Sequence, residues 1–153
     1  MGLYEASVEI NAPPEKVWEF VNDIKRAPDW IAFVDRIVSG GDEPAQLGSV
    51  WRDYSGPASF AKSETEWRVT EFDPPNRSVL EGHGQGLDRI IATTTLTPSG
   101  EGTRLHWTID VKSKWYWLPI SWPLELLILK RSSRRLTRKS LDDAKTLIEA
   151  EQS

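Results

Sequence analysis

The chain contains no cysteine, which excludes disulfides, thiolate nucleophiles and cysteine-based zinc sites. Histidine is nearly as scarce. His83 and His106 are the only two, neither has a second histidine at ligand spacing, and no metal site is expected. Long apolar runs are missing as well. The best candidate, residues 115–129, carries Glu125, Pro119 and Pro123 and falls short of the ~20 apolar residues that span a bilayer. The opening MGLYEASVEI has neither a basic n-region nor an apolar h-region, so no secretory leader is expected and a cytoplasmic location is the default. Ala6 stands where an N-myristoylation motif wants Ser or Thr. Gly82-His83-Gly84-Gln85-Gly86 lacks the spacing and the following helix of a dinucleotide loop. No serine sits in a nucleophile-elbow context. No cofactor is expected.

What remains is an ordinary globular composition. The 153 residues are 39% hydrophobic and 27% charged, which reads as one domain over 1–153 with a real core. Net charge is −4, but residues 130–139 alone contribute +6, leaving −10 for the rest. An acidic body with one basic stripe is a poor footprint for nucleic acid, and none is expected as a partner.

Along the chain, Tyr4, Ala6, Val8 and Ile10 alternate on one face of a first strand. Asn11-Ala12-Pro13-Pro14-Glu15 starts a short helix with proline in its first turn and an acid near the positive end of its dipole. Residues 24–31 predict a second short helix, interrupted at Pro28. Strands then follow over 36–39, 49–55, 62–72, 77–82, 87–96 and 103–111, punctuated by Asp73-Pro74-Pro75-Asn76 and by the hairpin loop 98–102. In the last strand Leu105, Trp107, Ile109 and Val111 face one way, and Arg104, His106, Thr108 and Asp110 the other. That is the pattern of an antiparallel sheet covered on one side. A long C-terminal helix should cover it, with Leu126, Leu129, Ser133, Leu136, Thr137, Ser140, Ala144 and Leu147 on its buried stripe.

The segments SVEINAPPEKVWEFVND (7–23), APDWIAFVDRIV (27–38), WRVTEFDPPNRSVLEG (67–82), GEGTRLHWTID (100–110) and RRLTRKSLDDAKTLIEA (134–150) occur in this order over nearly the whole chain. The order resembles the START-like (SRPBCC) superfamily that includes the birch-pollen allergens, and most closely its polyketide cyclase/dehydrase branch. The resemblance implies an α+β helix-grip fold. In it a curved antiparallel sheet of about seven strands wraps a long C-terminal helix, with two short helices after strand 1 and an apolar cavity between sheet and helix. Members bind lipids, sterols, polyketides or other hydrophobic ligands, and some act as cyclases, aromatases or hydrolases. A fold of this kind implies a pocket without naming a reaction.

The candidate pocket residues are Trp67, Trp107, Leu105, Ile109, Leu129, Ser133, Leu136 and Ser140. The tryptophans serve either as core or as cavity wall, since each aromatic buries ~150–250 Å². The small hydroxyl residues Ser133, Thr137 and Ser140 either leave room and hydrogen-bonding capacity for a ligand or bond back to helix carbonyls. Arg89 and Tyr54 are candidates to stabilise an enolate and His83 to act as general base, provided they point inward. Otherwise they, with Asp53, Glu81 and Asp88, are solvated outer-face groups. His106, Glu64, Glu66 and Arg68 are assigned to the outer face by parity.

In WYWLPISWPLELLILKRSSRRLTRK (115–139), Pro123 suits the first turn of the long helix. The aromatics Trp115, Trp117 and Trp122 beside Arg131, Arg134, Arg135 and Arg138 are either covered by loops or form a peripheral contact with an anionic membrane. Three functions follow: a hydrophobic-ligand binder, a cofactor-free cyclase/dehydratase, and a protein-interaction module acting through the helix surface. An inward ionisable group favours the second over the first. A filled core without a cavity would favour the third.

Overall fold

The computed structural model describes residues 2–56, 62–84, 87–112 and 122–152, with side chains placed for all of these except 2, 87–88 and 122–129. β1 (Gly2–Ile10) leads into α1 (Pro14–Val21), a 3-10 turn (Ile24–Arg26) and α2 (Ala27–Trp30). Then come β2 (Val34–Ser39), β3 (Val50–Ser55), β4 (Ser63–Asp73), β5 (Arg77–Gly84), β6 (Leu87–Ser99), β7 (Gly102–Lys112) and finally α3 (Trp122–Gln152). The strands form one antiparallel sheet in the order β1-β7-β6-β5-β4-β3-β2. This curved seven-stranded sheet with its long C-terminal helix is the helix-grip architecture.

Local chemistry explains the elements. Pro13 is the extended residue before α1 and Pro14 opens the helix, where its missing N–H would be unpaired in any case. Val17, Trp18 and Phe20 are buried on the inner side of α1. Residues 24–31 do not make one interrupted helix. They form the 3-10 turn and then α2, with Pro28 accommodated in the first turn. The β6–β7 hairpin turns at Gly100, whose φ of 61° lies in the left-handed region that glycine tolerates best.

The β7 alternation holds in three dimensions. Leu105, Trp107 and Ile109 are buried, and Ala6, Val8 and Tyr4 of β1 lie opposite Trp107, Leu105 and Ile109 on the same face. Trp107 packs against Trp30 of α2 and Phe33, with ring centroids 5.6 and 6.4 Å away. The helix stripe needs a correction. Among the described side chains of α3, those buried are Ser133, Thr137, Ser140, Leu141, Ala144 and Ile148, whereas Leu136 and Leu147 are half-buried and Leu126 and Leu129 lie outside the described side chains. The stripe is rotated toward Leu141 and Ile148, which share one core with Leu105 and Trp107 of the sheet and Val17 and Trp18 of α1, while the helix also runs beside β1 and α2.

That position also protects an open sheet edge. Arg138 donates to the Ser7 carbonyl at 2.9 Å and Lys145 to the Glu9 carbonyl at 2.7 Å, while the Asn11 amide donates to Glu149 at 2.8 Å. Edge groups of β1 that would otherwise invite another strand are thereby occupied by α3. Among the described residues, no helix is long and apolar enough to cross a membrane.

Candidate functional site

The inner face of β3, β4 and β5 carries the least expected feature of the molecule. Trp51, Asp53 and Ser55 point inward from β3, opposite Trp67, Thr65 and Ser63 of β4. Asp53 is only 2% exposed, Ser55 3% and Thr65 fully buried. Ser55 Oγ donates to Asp53 Oδ1 at 2.7 Å and lies 3.3 Å from Thr65 Oγ1. Among the described residues no basic side chain forms an ion pair with Asp53. Burial therefore pushes its carboxyl up to about 6, against weaker opposing effects of the Ser55 hydroxyl and the Trp67 indole. Trp67 Nε1 has no partner within ordinary hydrogen-bond geometry among the described residues, yet its N–H is the group besides Ser55 that favours the Asp53 carboxylate.

Among the described residues, three buried side-chain polar atoms lack a hydrogen-bond partner: Trp67 Nε1, Trp30 Nε1 and Ser63 Oγ. Buried N–H and O–H groups are ordinarily paired, and one left unmade costs about 1–3 kcal/mol. Trp67 and Ser63 stand on the same β4 face as Thr65, beside Asp53, and Trp30 stands against Trp107. The inner face thus joins an aromatic wall to a polar patch.

Trp67 is held in place by a missing side chain. It is opposite Gly82, where an added Cβ would come within 2.7–2.9 Å of three atoms of its ring. Gly82→Ala should push the indole off this position and cost roughly 1–3 kcal/mol. Thermal melting checks the cost, and a change in the Trp67 indole N–H resonance checks the displacement.

The structure separates the sequence candidates. Trp67, Trp107, Leu105 and Ile109 lie on the inner face. Ser133 and Ser140 are buried on α3 and Leu136 is half-buried. The Thr137 hydroxyl donates to the Ser133 carbonyl and that of Ser140 to the Leu136 carbonyl, both at 2.7 Å, so these two bond back to the helix. Ser140 Oγ also accepts the Ala32 amide at 2.8 Å, tying α3 to the segment after α2. The side chains of Leu129 and Trp122, together with Trp115 and Trp117, lie outside the described residues.

The proposed polar triplet is corrected. Tyr54 is on the outer face with the Arg36 guanidinium 4.5 Å from its ring centroid. Arg89 is exposed, and it alternates with the inward Ile90. His83 is 59% exposed in its side chain, 3.2 Å from Glu81 on the same outer face. All three follow strand parity, because Trp51, Gly82 and Ile90 take the inner positions. Among the described residues Asp53 is the buried carboxyl on the inner face, where polarity alone assigns it to solvent. A signal for it exists in the sequence: Asp53 alternates with Arg52 and Tyr54 and shares its face with Trp51.

On the outer face, His106 accepts or donates at 2.6 Å to Ser7 Oγ through Nδ1 and lies 3.4 Å from Glu5 through Nε2. Arg131, Arg134 and Arg135 are exposed and form no ion pair among the described residues, whereas Arg138 and Lys139 pair with Asp142 and Asp143. A separate surface groove of about 730 Å³ runs along β2, lined among others by Lys25, Pro28, Asp35 and Ile37. It lies outside the inner-face cluster and shares no residue with it.

Comparison with known proteins places this arrangement. The aromatase/cyclase Zhui from Streptomyces sp. R1128 superposes with a TM-score of 0.80 at 17% identity, over 99% of this chain and 96% of that one. A Thermus thermophilus protein does so with a TM-score of 0.78 at 21% identity, over 99% and 100%. An uncharacterized protein of Mycobacterium tuberculosis (strain ATCC 25618 / H37Rv) is 25% identical over 112 residues, 72% of this chain and 77% of its own length. The family model described as polyketide cyclase / dehydrase and lipid transport matches residues 1–149. With nearly the whole chain matched and the helix-grip architecture in place, the protein belongs to the polyketide cyclase/dehydrase and lipid transport family.

Proposed function

We propose that the chain binds a hydrophobic small molecule, of the lipid or polyketide kind, against the inner face of the sheet beneath α3. The observation that carries this reading is the pair of buried tryptophan N–H groups, Trp30 and Trp67, with no acceptor in hydrogen-bond geometry among the described residues. A bound ligand would supply an acceptor and cover the rings. Native mass spectrometry of protein purified from its own host tests this. A discrete hydrophobic mass released with the protein is expected. Protein that is free of any such mass, and that also fails to take up added lipid or aromatic polyketide, would count against the reading.

A second reading, a cofactor-free cyclase/dehydratase, is favoured by one observation. Asp53 places a carboxyl with its pKa near 6 on the inner face, suited to exchange a proton close to neutral pH. A synthetic poly-β-ketone thioester should then yield aromatic product faster with wild type than with Asp53→Asn, by ~10²-fold or more. Equal rates would remove the enzymatic reading.

The basic face of α3 supports a weaker expectation. Arg131, Arg134 and Arg135, exposed and without an ion pair among the described residues, should bind vesicles rich in phosphatidylserine at low salt and release them near 0.5 M salt, as roughly 1 kcal/mol per charge and Debye screening imply. Co-sedimentation of wild type and an Arg131→Gln, Arg134→Gln, Arg135→Gln triple variant measures it. Failure of wild type to sediment at low salt would exclude this contact.

A further inference from the structure

The polar patch at Asp53 has a donor and acceptor balance that selects among hydrophobic ligands. Trp67 Nε1 can only donate, and among the described residues it is buried with no acceptor in ordinary hydrogen-bond geometry, the Asp53 carboxylate being the acceptor its N–H favours. An ionised Asp53 can only accept, and the Ser55 hydroxyl makes the one well-formed hydrogen bond to it among the described residues. Both lie on the inner face of adjacent strands: Asp53 is opposite Thr65, and Trp67 is two residues farther along β4. Ser63, opposite Ser55, adds a buried hydroxyl without a partner.

The group that completes this set must accept from the indole and donate to the carboxylate. A pure acceptor such as a ketone would leave the ionised Asp53 unsatisfied. An ammonium would satisfy Asp53 but face the indole N–H with another donor. A hydroxyl does both, and it is the smallest group that can. We propose that Asp53 and Trp67, with Ser63, form a recognition site for a hydroxyl group on an apolar ligand, making the preferred ligands alcohols or phenols rather than pure hydrocarbons or amines. This rests on the inner-face binding reading above and adds the polar determinant to it.

The test uses the chain of 153 residues and three probes of similar size, 1-naphthol, 1-methylnaphthalene and 1-naphthylmethylamine, titrated by calorimetry at pH 7.5. Wild type should prefer 1-naphthol over 1-methylnaphthalene by about tenfold or more, the scale of one hydrogen bond to a charged group. Asp53→Leu and Trp67→Phe should each reduce that preference, taken as the ratio of the two affinities within one variant, to near unity. Trp67→Phe keeps an aromatic ring, so it tests the N–H even where Asp53→Leu disturbs the strand. A preference for 1-naphthol that survives in both variants would overturn the assignment, as would tighter binding of the amine. Binding of 1-methylnaphthalene without any preference for 1-naphthol would overturn the hydroxyl site alone. Absence of binding by all three would overturn the inner-face reading together with it.

Discussion

Asp53→Asn is expected to stabilise the protein at pH 8 and to leave it nearly unchanged at pH 4. The carboxyl is 2% exposed with no cation paired to it among the described residues, and burial raises its pKa from 3.8 to about 6. The folded state therefore holds a proton that the unfolded chain releases between these values. Stability from this group is full below about pH 4 and is lost as pH rises through about 6. The difference of 6 − 3.8, about two units, corresponds to at most ~3 kcal/mol. Asn removes the charge and keeps an oxygen to accept from Ser55 Oγ, so the variant should escape that loss. For a chain of this length ~3 kcal/mol is a rise of roughly 6–12 °C in Tm over wild type at pH 8. Equal Tm differences at pH 4 and pH 8 would show that Asp53 does not titrate in this way. A lower Tm for the variant at pH 8 would show that its charge stabilises the fold.

Trp107→Ala should be the most damaging single change on the inner face. Trp107 is 5% exposed and joins the sheet to α2 through Trp30 and to the next segment through Phe33. Truncating a buried Trp costs ~3–5 kcal/mol, from lost transfer free energy and the cavity left behind. A Tm fall of about 10 °C or more is expected, with at least tenfold weaker binding of the neutral probe N-phenyl-1-naphthylamine. Trp107→Phe should restore much of the stability and only part of the binding, which separates the two roles. An unchanged Tm and affinity in Trp107→Ala would contradict the placement of this residue between sheet and helices.

Why β7 can be read from its residues and β3 cannot has a physical reason. β7 puts Leu105, Trp107 and Ile109 on one face and Arg104, His106 and Asp110 on the other, so burial and polarity agree. β3 crosses them. Val50 and Tyr54 face outward, the latter under Arg36, while Asp53 and Ser55 face inward beside Trp51. Polarity alone then assigns Asp53 to solvent, its shared parity with Trp51 points the other way, and the register with Thr65 and Ser63 decides between them. On β5 the irregular pairing between Gly82 and Gly84 clouds the parity of His83 in the same way. The helix stripe is legible in period but not in phase. Its spacing places Ser133, Thr137, Ser140 and Ala144 correctly, while Leu141 and Ile148 join it through the core they share with Leu105 and Trp107 of the sheet and Val17 and Trp18 of α1. The hydroxyls of Thr137 and Ser140 bond within the helix, and the polar capacity for a ligand sits across from it, on β3 and β4.

A hydrophobic molecule on the inner face would cover Trp67 of β4 and Trp30 of α2, the two indoles without an acceptor in hydrogen-bond geometry among the described residues. Proton–nitrogen spectra of the tryptophan side chains, assigned with Trp30→Phe and Trp67→Phe, follow those indoles directly during titration with N-phenyl-1-naphthylamine. Saturable shifts of the Trp30 and Trp67 N–H resonances are predicted, with the same apparent Kd at both. Shifts confined to other tryptophans, or none at ligand excess, would contradict the account.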